Sequence, residues 1–321
     1  MPIKKIAVLT TGGDAPGMNA AIRGVVRYGI SNGLDVMGIS RGWWGLINEE
    51  LKNLDHRSVS GIINEGGTIL KTARCHEFQT EEGQKRAYDT IKKNAIDGLV
   101  VIGGNGSFTA AHNFYKKYKV PIMGIPASID NDVNGVETTI GSDTAINTAL
   151  DAIDKIRDTS SSMERIFVVE VMGRDCGYIA LQVALAGGCE DVIIPELKYD
   201  LNEMCHDIVN GNIRGKISWI IVVAEGAGSA QDLAKQITEL TSLETRSVVL
   251  GHIQRGGSPT AFSRDLALRL SQAAVDCLKK GERDKAVALC CGKAITVDFE
   301  TAIAKKDLKA QELYNLIKLL T

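Results

Sequence analysis

The chain has 321 residues, 44% of them hydrophobic, which is enough to bury a substantial core in one large or two moderate domains and excludes a disordered or fibrous protein. Its 37 basic and 39 acidic residues leave a formal net charge of -2, so no global field draws nucleic acid or an anionic membrane, and any anion site has to be local. The longest strongly apolar run, 219–224, is far short of the roughly 20 residues of a membrane helix, and Lys4 and Lys5 lead only into 6–9 before a glycine-rich turn, which predicts neither a membrane span nor a signal segment.

In chain order, the first predicted strand is 6–10, a buried run that leads into Thr10-Thr11-Gly12-Gly13-Asp14-Ala15-Pro16-Gly17-Met18-Asn19 and then a helix over 18–31. Adjacent glycines let backbone N–H groups approach an anion closely, and the following helix N-terminus adds favourable dipole charge. A phosphate loop and a plain strand-to-helix turn fit this segment equally well. It is neither a Walker A loop, lacking Gly-Lys-Ser/Thr, nor the Gly-x-Gly-x-x-Gly of dinucleotide binders. Strand 36–39 follows, then strand 99–102, after which Gly103-Gly104-Asn105-Gly106-Ser107 leaves the backbone bare before another helix. A second such loop at a strand's carboxyl end favours the phosphate reading for both.

Strand 122–125 precedes Pro126-Ala127-Ser128-Ile129-Asp130-Asn131-Asp132. Two carboxylates at i and i+2 beside phosphate loops repel unless one binds a cation or takes a proton, the two services a kinase needs. A helix over 142–157 and a strand over 166–171 lead to Val171-Met172-Gly173-Arg174, then come a helix over 178–186 and strands over 192–194 and 219–224. The last unusual segment is Leu250-Gly251-His252-Ile253-Gln254-Arg255-Gly256-Gly257-Ser258-Pro259. Arginine forks bind phosphate bidentately, so Arg165, Arg174, Arg246 and Arg255 together are candidates to hold a sugar phosphate. Strand–helix alternation predicts an α/β fold with helices on both sheet faces and ligands beyond the strands' carboxyl ends. Seven scattered cysteines, of which only Cys290 and Cys291 are close neighbours, offer neither a disulfide framework nor zinc-ligand spacing and fit a reducing cytoplasm.

In this order, the segments at 12–19, 129–132, 169–174 and 251–259 resemble those of the short-chain ATP-dependent 6-phosphofructokinases, over about 4–264. The resemblance implies two similar three-layer α/β/α lobes with mostly parallel sheets: a larger ATP-binding lobe of 1–140 plus 254–304 and a smaller sugar-phosphate-binding lobe of 141–253 plus 305–321. It implies transfer of the ATP γ-phosphoryl group to the 1-hydroxyl of fructose 6-phosphate, giving fructose 1,6-bisphosphate and ADP. Asp130 would be the general base, with Gly12, Ser128 and Arg174 completing the catalytic set. Gly12, Arg74, Cys75, Gly104, Asn105, Gly106 and Ser107 would hold ATP, and Asn105 and Asp132 would serve Mg2+. Ser128, Asp130, Met172, Gly173, Arg174, Glu225, His252 and Arg255 would bind the sugar phosphate, with Arg165 and Arg246 reaching in from a neighbouring subunit of a homotetramer. Cytoplasmic location follows, with no nucleic-acid or membrane partner.

Small, neutral Gly106 and Ala127 favour ATP over pyrophosphate, because pyrophosphate-dependent relatives carry Asp and Lys at those places. The chief departure is Asn105, usually aspartate in the family, which predicts a higher magnesium requirement. Ser128 replaces the usual threonine and keeps its hydroxyl; Cys75 is expected to pack beside adenine rather than react. Arg23, Arg27, Arg157, Glu190, Arg214 and Lys216 match the family's effector site, whereas His56, Gly61, Ile217 and Ser218 depart from it. Two alternatives stay open: a pyrophosphate-dependent phosphofructokinase, and a nucleotide-binding regulatory subunit whose catalysis Asn105 has weakened.

Overall fold

The computed structural model describes residues 3–321. The chain divides into two compact units, the first made of the residues up to 144 together with 255–306, the second of 145–254 with 307–321.

The first unit begins with β1 (Lys5–Thr10), α1 (Met18–Ser31), β2 (Asp35–Ile39), α2 (Gly42–Ile47), β3 (Leu51–Asn53), α3 (Glu81–Lys93), β4 (Gly98–Gly103), α4 (Asn105–Tyr118), β5 (Ile122–Ser128) and β6 (Ile140–Gly141). The second unit is entered through α5 (Ser142–Met163) and continues with β7 (Ile166–Val171), α6 (Tyr178–Ala186), β8 (Asp191–Ile193), α7 (Leu201–Ile213), β9 (Trp219–Ala224), α8 (Ala230–Thr241) and β10 (Thr245–Val249). The chain returns to the first unit for α9 (Ala261–Lys279), β11 (Lys285–Cys290), β12 (Lys293–Asp298) and α10 (Phe299–Ala302), and α11 (Ala310–Leu320) closes the second.

The first unit's sheet runs β12-β11-β5-β4-β1-β2-β3, with β6 paired to β5; only the β2–β3 and β11–β12 pairs are antiparallel. Its strands read as continuous apolar runs because both faces are covered. Ala7, Leu9, Met37, Ile39, Leu99, Val101 and Ile122 face Trp43, Phe78, Phe108 and Phe114, with Trp43 stacked on Phe78 at 4.2 Å. Ile6, Val8, Val36, Val100 and Ile102 are buried on the opposite face, against which α1 and α9 pack. These two helices approach closely at Gly24, where a Cβ would stand 2.6 Å from that of Ser271, and the Ser271 hydroxyl donates to the Ala21 carbonyl.

The second unit's sheet is wholly parallel, in the order β10-β7-β9-β8. Ile166, Val168, Ile193, Ile221 and Val223 pack under Met204 and Ile208 of α7 and Leu233 and Ile237 of α8, while α6 lies against β8 and β9.

Several expectations need correction. The third loop is shorter than read, because β5 continues to Ser128 rather than ending at 125, and the second is not all loop, since α4 begins at Asn105 with Gly104 as its N-cap. Helix α5 extends six residues past 157, and β8 starts one residue before 192. Strands β3, β10 and β12 were not expected because they are edges whose partly exposed residues never form a continuous apolar run, and neither were β6, only two residues long, and β11, whose short Ala-Val-Ala-Leu run is equally compatible with a helix.

Candidate active site

Adjacent parallel strands β1 and β4 place the two glycine segments side by side. They are joined by the Ser107 hydroxyl, which donates to the Thr11 carbonyl at 3.0 Å, and by the Thr11 N–H, which donates to the Ile102 carbonyl at 3.1 Å. The contact leaves no room for side chains. A Cβ on Gly12, which sits at φ +85°, would lie 3.1 Å from Ser107 Oγ, and one on Gly103 would overlap that oxygen and stand 2.6 Å from the Thr11 carbonyl. Gly104, Gly106 and Ser107 thus present the N-terminus of α4 as bare backbone, suited to an anion.

The adjoining strand β5 delivers Ser128, Asp130 and Asp132. Asp130 is buried, and its N–H donates to Ser128 Oγ at 3.2 Å. Asn131, fully buried at φ +50°, ties down the return of the chain: its amide donates to the Glu137 carbonyl and its oxygen accepts the Thr139 N–H, both at 3.0 Å. Asn105 Nδ2 donates to Asp132 Oδ2 at 2.9 Å and to the Asp132 carbonyl at 3.0 Å. That leaves Asn105 Oδ1 and Asp132 Oδ1 as buried oxygens with no hydrogen-bond partner among the described residues. Orphaned, hard oxygen donors of this type fit Mg2+.

Arg255 lies over the first glycine segment, its Nε and Nη2 reaching Asp14 Oδ1 at 3.3 Å and the Asp14 carbonyl at 3.0 Å; it occupies the space a Cβ on Gly13 would need. Arg74 is exposed on a segment outside the helices and strands. Its neighbour Cys75 is half-buried against the core, and burial pushes its thiol up.

In the second unit, Met172, Gly173 and Arg174 follow β7 in a turn that needs φ +146° at Gly173 and +53° at Arg174. Glu225 Oε1 holds this turn by accepting the N–H groups of Gly173 at 3.2 Å and Arg174 at 2.8 Å, and Gln254 Oε1 accepts that of Met172 at 2.9 Å. His252 is exposed in the helical turn 251–255. Arg165 and Arg246 are brought together at the start of β7 and in β10 by Glu244, whose carboxyl they hold below its ordinary range.

The phosphofructokinase family model matches residues 5–278. The chain belongs to the phosphofructokinase family. It is 53% identical over 319 residues to an ATP-dependent 6-phosphofructokinase of Clostridium botulinum and 51% to one of Thermotoga neapolitana, each alignment covering 99% of this chain and 100% of the relative. A solved phosphofructokinase of Saccharomyces cerevisiae superposes with a TM-score of 0.90 at 34% identity; 97% of this chain matches, spanning 49% of the yeast chain. A pyrophosphate-dependent phosphofructokinase of Marinobacter aquaeolei, at 20% identity and TM-score 0.85 over 99% of this chain and 91% of its own, shares the fold.

Of the residues matched to the family's effector site, Arg23 and Arg27 lie one turn apart on α1, and burial and the charge of Arg27 push Arg23 down. In the second unit Arg157 donates to the carbonyls of Gly187 and Gly188. Glu190 is buried, accepting the Ile220 N–H at 2.7 Å and pairing with Lys216 at 3.4 Å, and Arg214 is exposed at the end of α7. Two further buried amides hold the segments before Arg74 and at Met172 in place. Asn19 clamps the loop before Arg74 through the carbonyls of Glu65 and Gly66 and the N–H of Ile69. Fully buried Gln254 positions Met172. The only sequence signal is, for Asn19, a polar amide inside an otherwise small or apolar segment, and Gln254, between Ile253 and Arg255, gives none.

Proposed function

We propose that this chain is an ATP-dependent 6-phosphofructokinase, carrying the γ-phosphoryl group of ATP to the 1-hydroxyl of fructose 6-phosphate in glycolysis. The observation that carries the reading is the buried Asp130 just past the end of β5, the strand next to the paired glycine segments, followed by Asp132, to which Asn105 donates. The sugar's O1 attacks the γ-phosphorus as the bond to the β,γ-bridging oxygen breaks, ADP leaves with that electron pair, and the hydroxyl proton passes to the Asp130 carboxylate. Ser128 fixes the backbone of Asp130. The bare N-terminus of α4 and Gly12 receive the phosphates, with Arg74 and Cys75 on the nucleotide. Mg2+ would be held by Asn105 and Asp132, where it would neutralise charge on the phosphates.

Arg174, Met172, Gly173, Glu225, His252 and Arg255 bind the sugar phosphate in this reading, Glu225 by shaping the turn from which Arg174 projects. Arg165 and Arg246, neighbours through Glu244, reach the adjacent subunit's substrate in a homotetramer. The cluster on α1 and the group at Arg157, Glu190, Arg214 and Lys216 serve an allosteric effector. ATP rather than pyrophosphate is supported by Gly106, around whose missing Cβ nothing lies within 4 Å, leaving room for the α-phosphate. Seven free cysteines, and no helix among the described residues long and apolar enough to cross a membrane, accord with a cytoplasmic enzyme. Turnover on fructose 6-phosphate with ATP or pyrophosphate, across a magnesium titration, tests the assignment: ATP-dependent product that Asp130→Ala abolishes supports it, and turnover with pyrophosphate alone overturns the donor.

A further inference from the structure

Strand β11 ends at Cys290, which pairs with Lys293 across a two-residue turn formed by Cys291 and Gly292. Both turn residues have positive φ, +50° and +75°, the geometry of a type I′ hairpin, whose first position ordinarily goes to Asn, Asp or Gly. A cysteine there is backbone-strained for its residue type. The loop following Asp132 comes alongside, so that Glu137, remote in sequence, offers its carboxylate to the two sulfurs: the three ligand atoms all lie within 4.8 Å of one another. Cys290 is half-buried beside Glu137 and Cys291, while the other two are exposed to incoming solute.

We propose that Cys290, Cys291 and Glu137 form a binding site for a thiophilic divalent cation of the Zn2+ class, and that occupancy slows the enzyme by restraining the loop that carries Asp130. Two sulfurs and one carboxylate make a donor set for a borderline-soft ion with water in the fourth tetrahedral position, whereas Mg2+ prefers oxygens alone. On binding, the ligating thiols release their protons to solvent. The path to the active site is short. The Glu137 carbonyl accepts from Asn131, the residue between Asp130 and Asp132, and Asn131 also holds Thr139. The same loop rests on the hairpin at Gly135, whose Cβ position lies 2.9 Å from Val297, and is held by Lys306, which donates to the Val136 carbonyl at 2.7 Å. A metal bridging Glu137 to the turn would pin the loop's outer end as well. The first half of the proposal is independent of the kinase reading; the second rests on it, so the two are measured separately.

The whole chain, reduced with a phosphine and stripped of metal, is titrated with Co2+ while thiolate-to-cobalt charge-transfer absorption is followed, and Zn2+ is then added to displace the cobalt. One Co2+ per chain with a charge-transfer band is expected in the wild type, and none in Cys290→Ser/Cys291→Ser. Glu137→Gln should keep the band and bind more weakly by at least the roughly 10- to 100-fold that loss of a supporting group costs at metal sites. In the magnesium–ATP assay, stoichiometric Zn2+ should lower kcat of the wild type and leave that of the double-serine variant unchanged. A wild type without the band, or a band that survives the double substitution, overturns the site. Equal Zn2+ sensitivity of wild type and variant overturns the link to Asp130.

Discussion

Asp130, Asn131 and Asp132 are consecutive and do three different things. Asp130 is buried with its N–H on Ser128, Asn131 is spent on backbone, and Asp132 faces Asn105. Asp130→Asn, nearly isosteric and without a proton acceptor, should lower kcat by about 10²–10⁴-fold with little change in ATP affinity, checked by steady-state kinetics and nucleotide binding. At position 105 the amide donates to one Asp132 oxygen, so replacing it with a carboxylate turns an attraction into a repulsion until a cation arrives. Asn105→Asp should therefore reduce the magnesium needed for half-maximal rate, on the order of tenfold, and lower the Tm in EDTA more than in magnesium. Unchanged magnesium dependence would remove Asn105 from the metal site. The two aspartates were legible in the sequence because paired carboxylates beside glycine loops are hard to explain otherwise. The assignment of Asn131 to backbone, and of Glu225 to the Gly173–Arg174 turn, was not, because a hydrogen bond to a distant N–H or carbonyl leaves no trace in residue spacing.

At the level of elements, the site depends on strands that end together and on helices that start without side chains in the way. Gly103→Ala would drive a methyl group into Ser107 Oγ and the Thr11 carbonyl, neither of which has room to retreat, so a loss of about 1–3 kcal/mol of stability is expected from denaturant midpoints. Gly13→Ala meets a different neighbour, the movable end of Arg255. It should spare stability and instead raise KM for fructose 6-phosphate as the guanidinium is displaced from Asp14; a changed KM for ATP alone would remove Arg255 from the sugar side. The buried parallel strands up to β9 were readable as Val/Ile runs because both their faces lie against helices, apart from two-residue β6, whereas β11, parallel to β5, was not, its Ala-Val-Ala-Leu run being short and no longer than a helix segment would show. Edge strands β3, β10 and β12 were not, since one exposed side breaks the run, and the start of α4 within the glycine segment was hidden because three of its five residues are poor helix formers.

For the whole molecule, each unit carries its own core and its own buried thiols, which report on it separately. Burial pushes Cys189 in the second unit up to about 12 and Cys277 in the first up to about 11, so both stay protonated and inert at pH 8, while exposed Cys291 is accessible. Labelling with a thiol reagent should modify Cys291 rapidly and reach Cys189 and Cys277 only as their units open in denaturant; fast native-state labelling of Cys189 would contradict its burial. The sequence by itself determined the α/β class, the Val/Ile-rich central strands, the glycine segments and the acidic pair, because each is written in local composition and short periods. Only the tertiary structure decided that Ser107 locks the two glycine segments together, that the Asn105 amide donates to Asp132 and leaves one oxygen of each side chain bare, and that Glu137 meets Cys290 and Cys291. Those arrangements arise from strand order and loop return, which bring residues far apart in the chain within hydrogen-bond or ligand distance and leave no periodic signal along it.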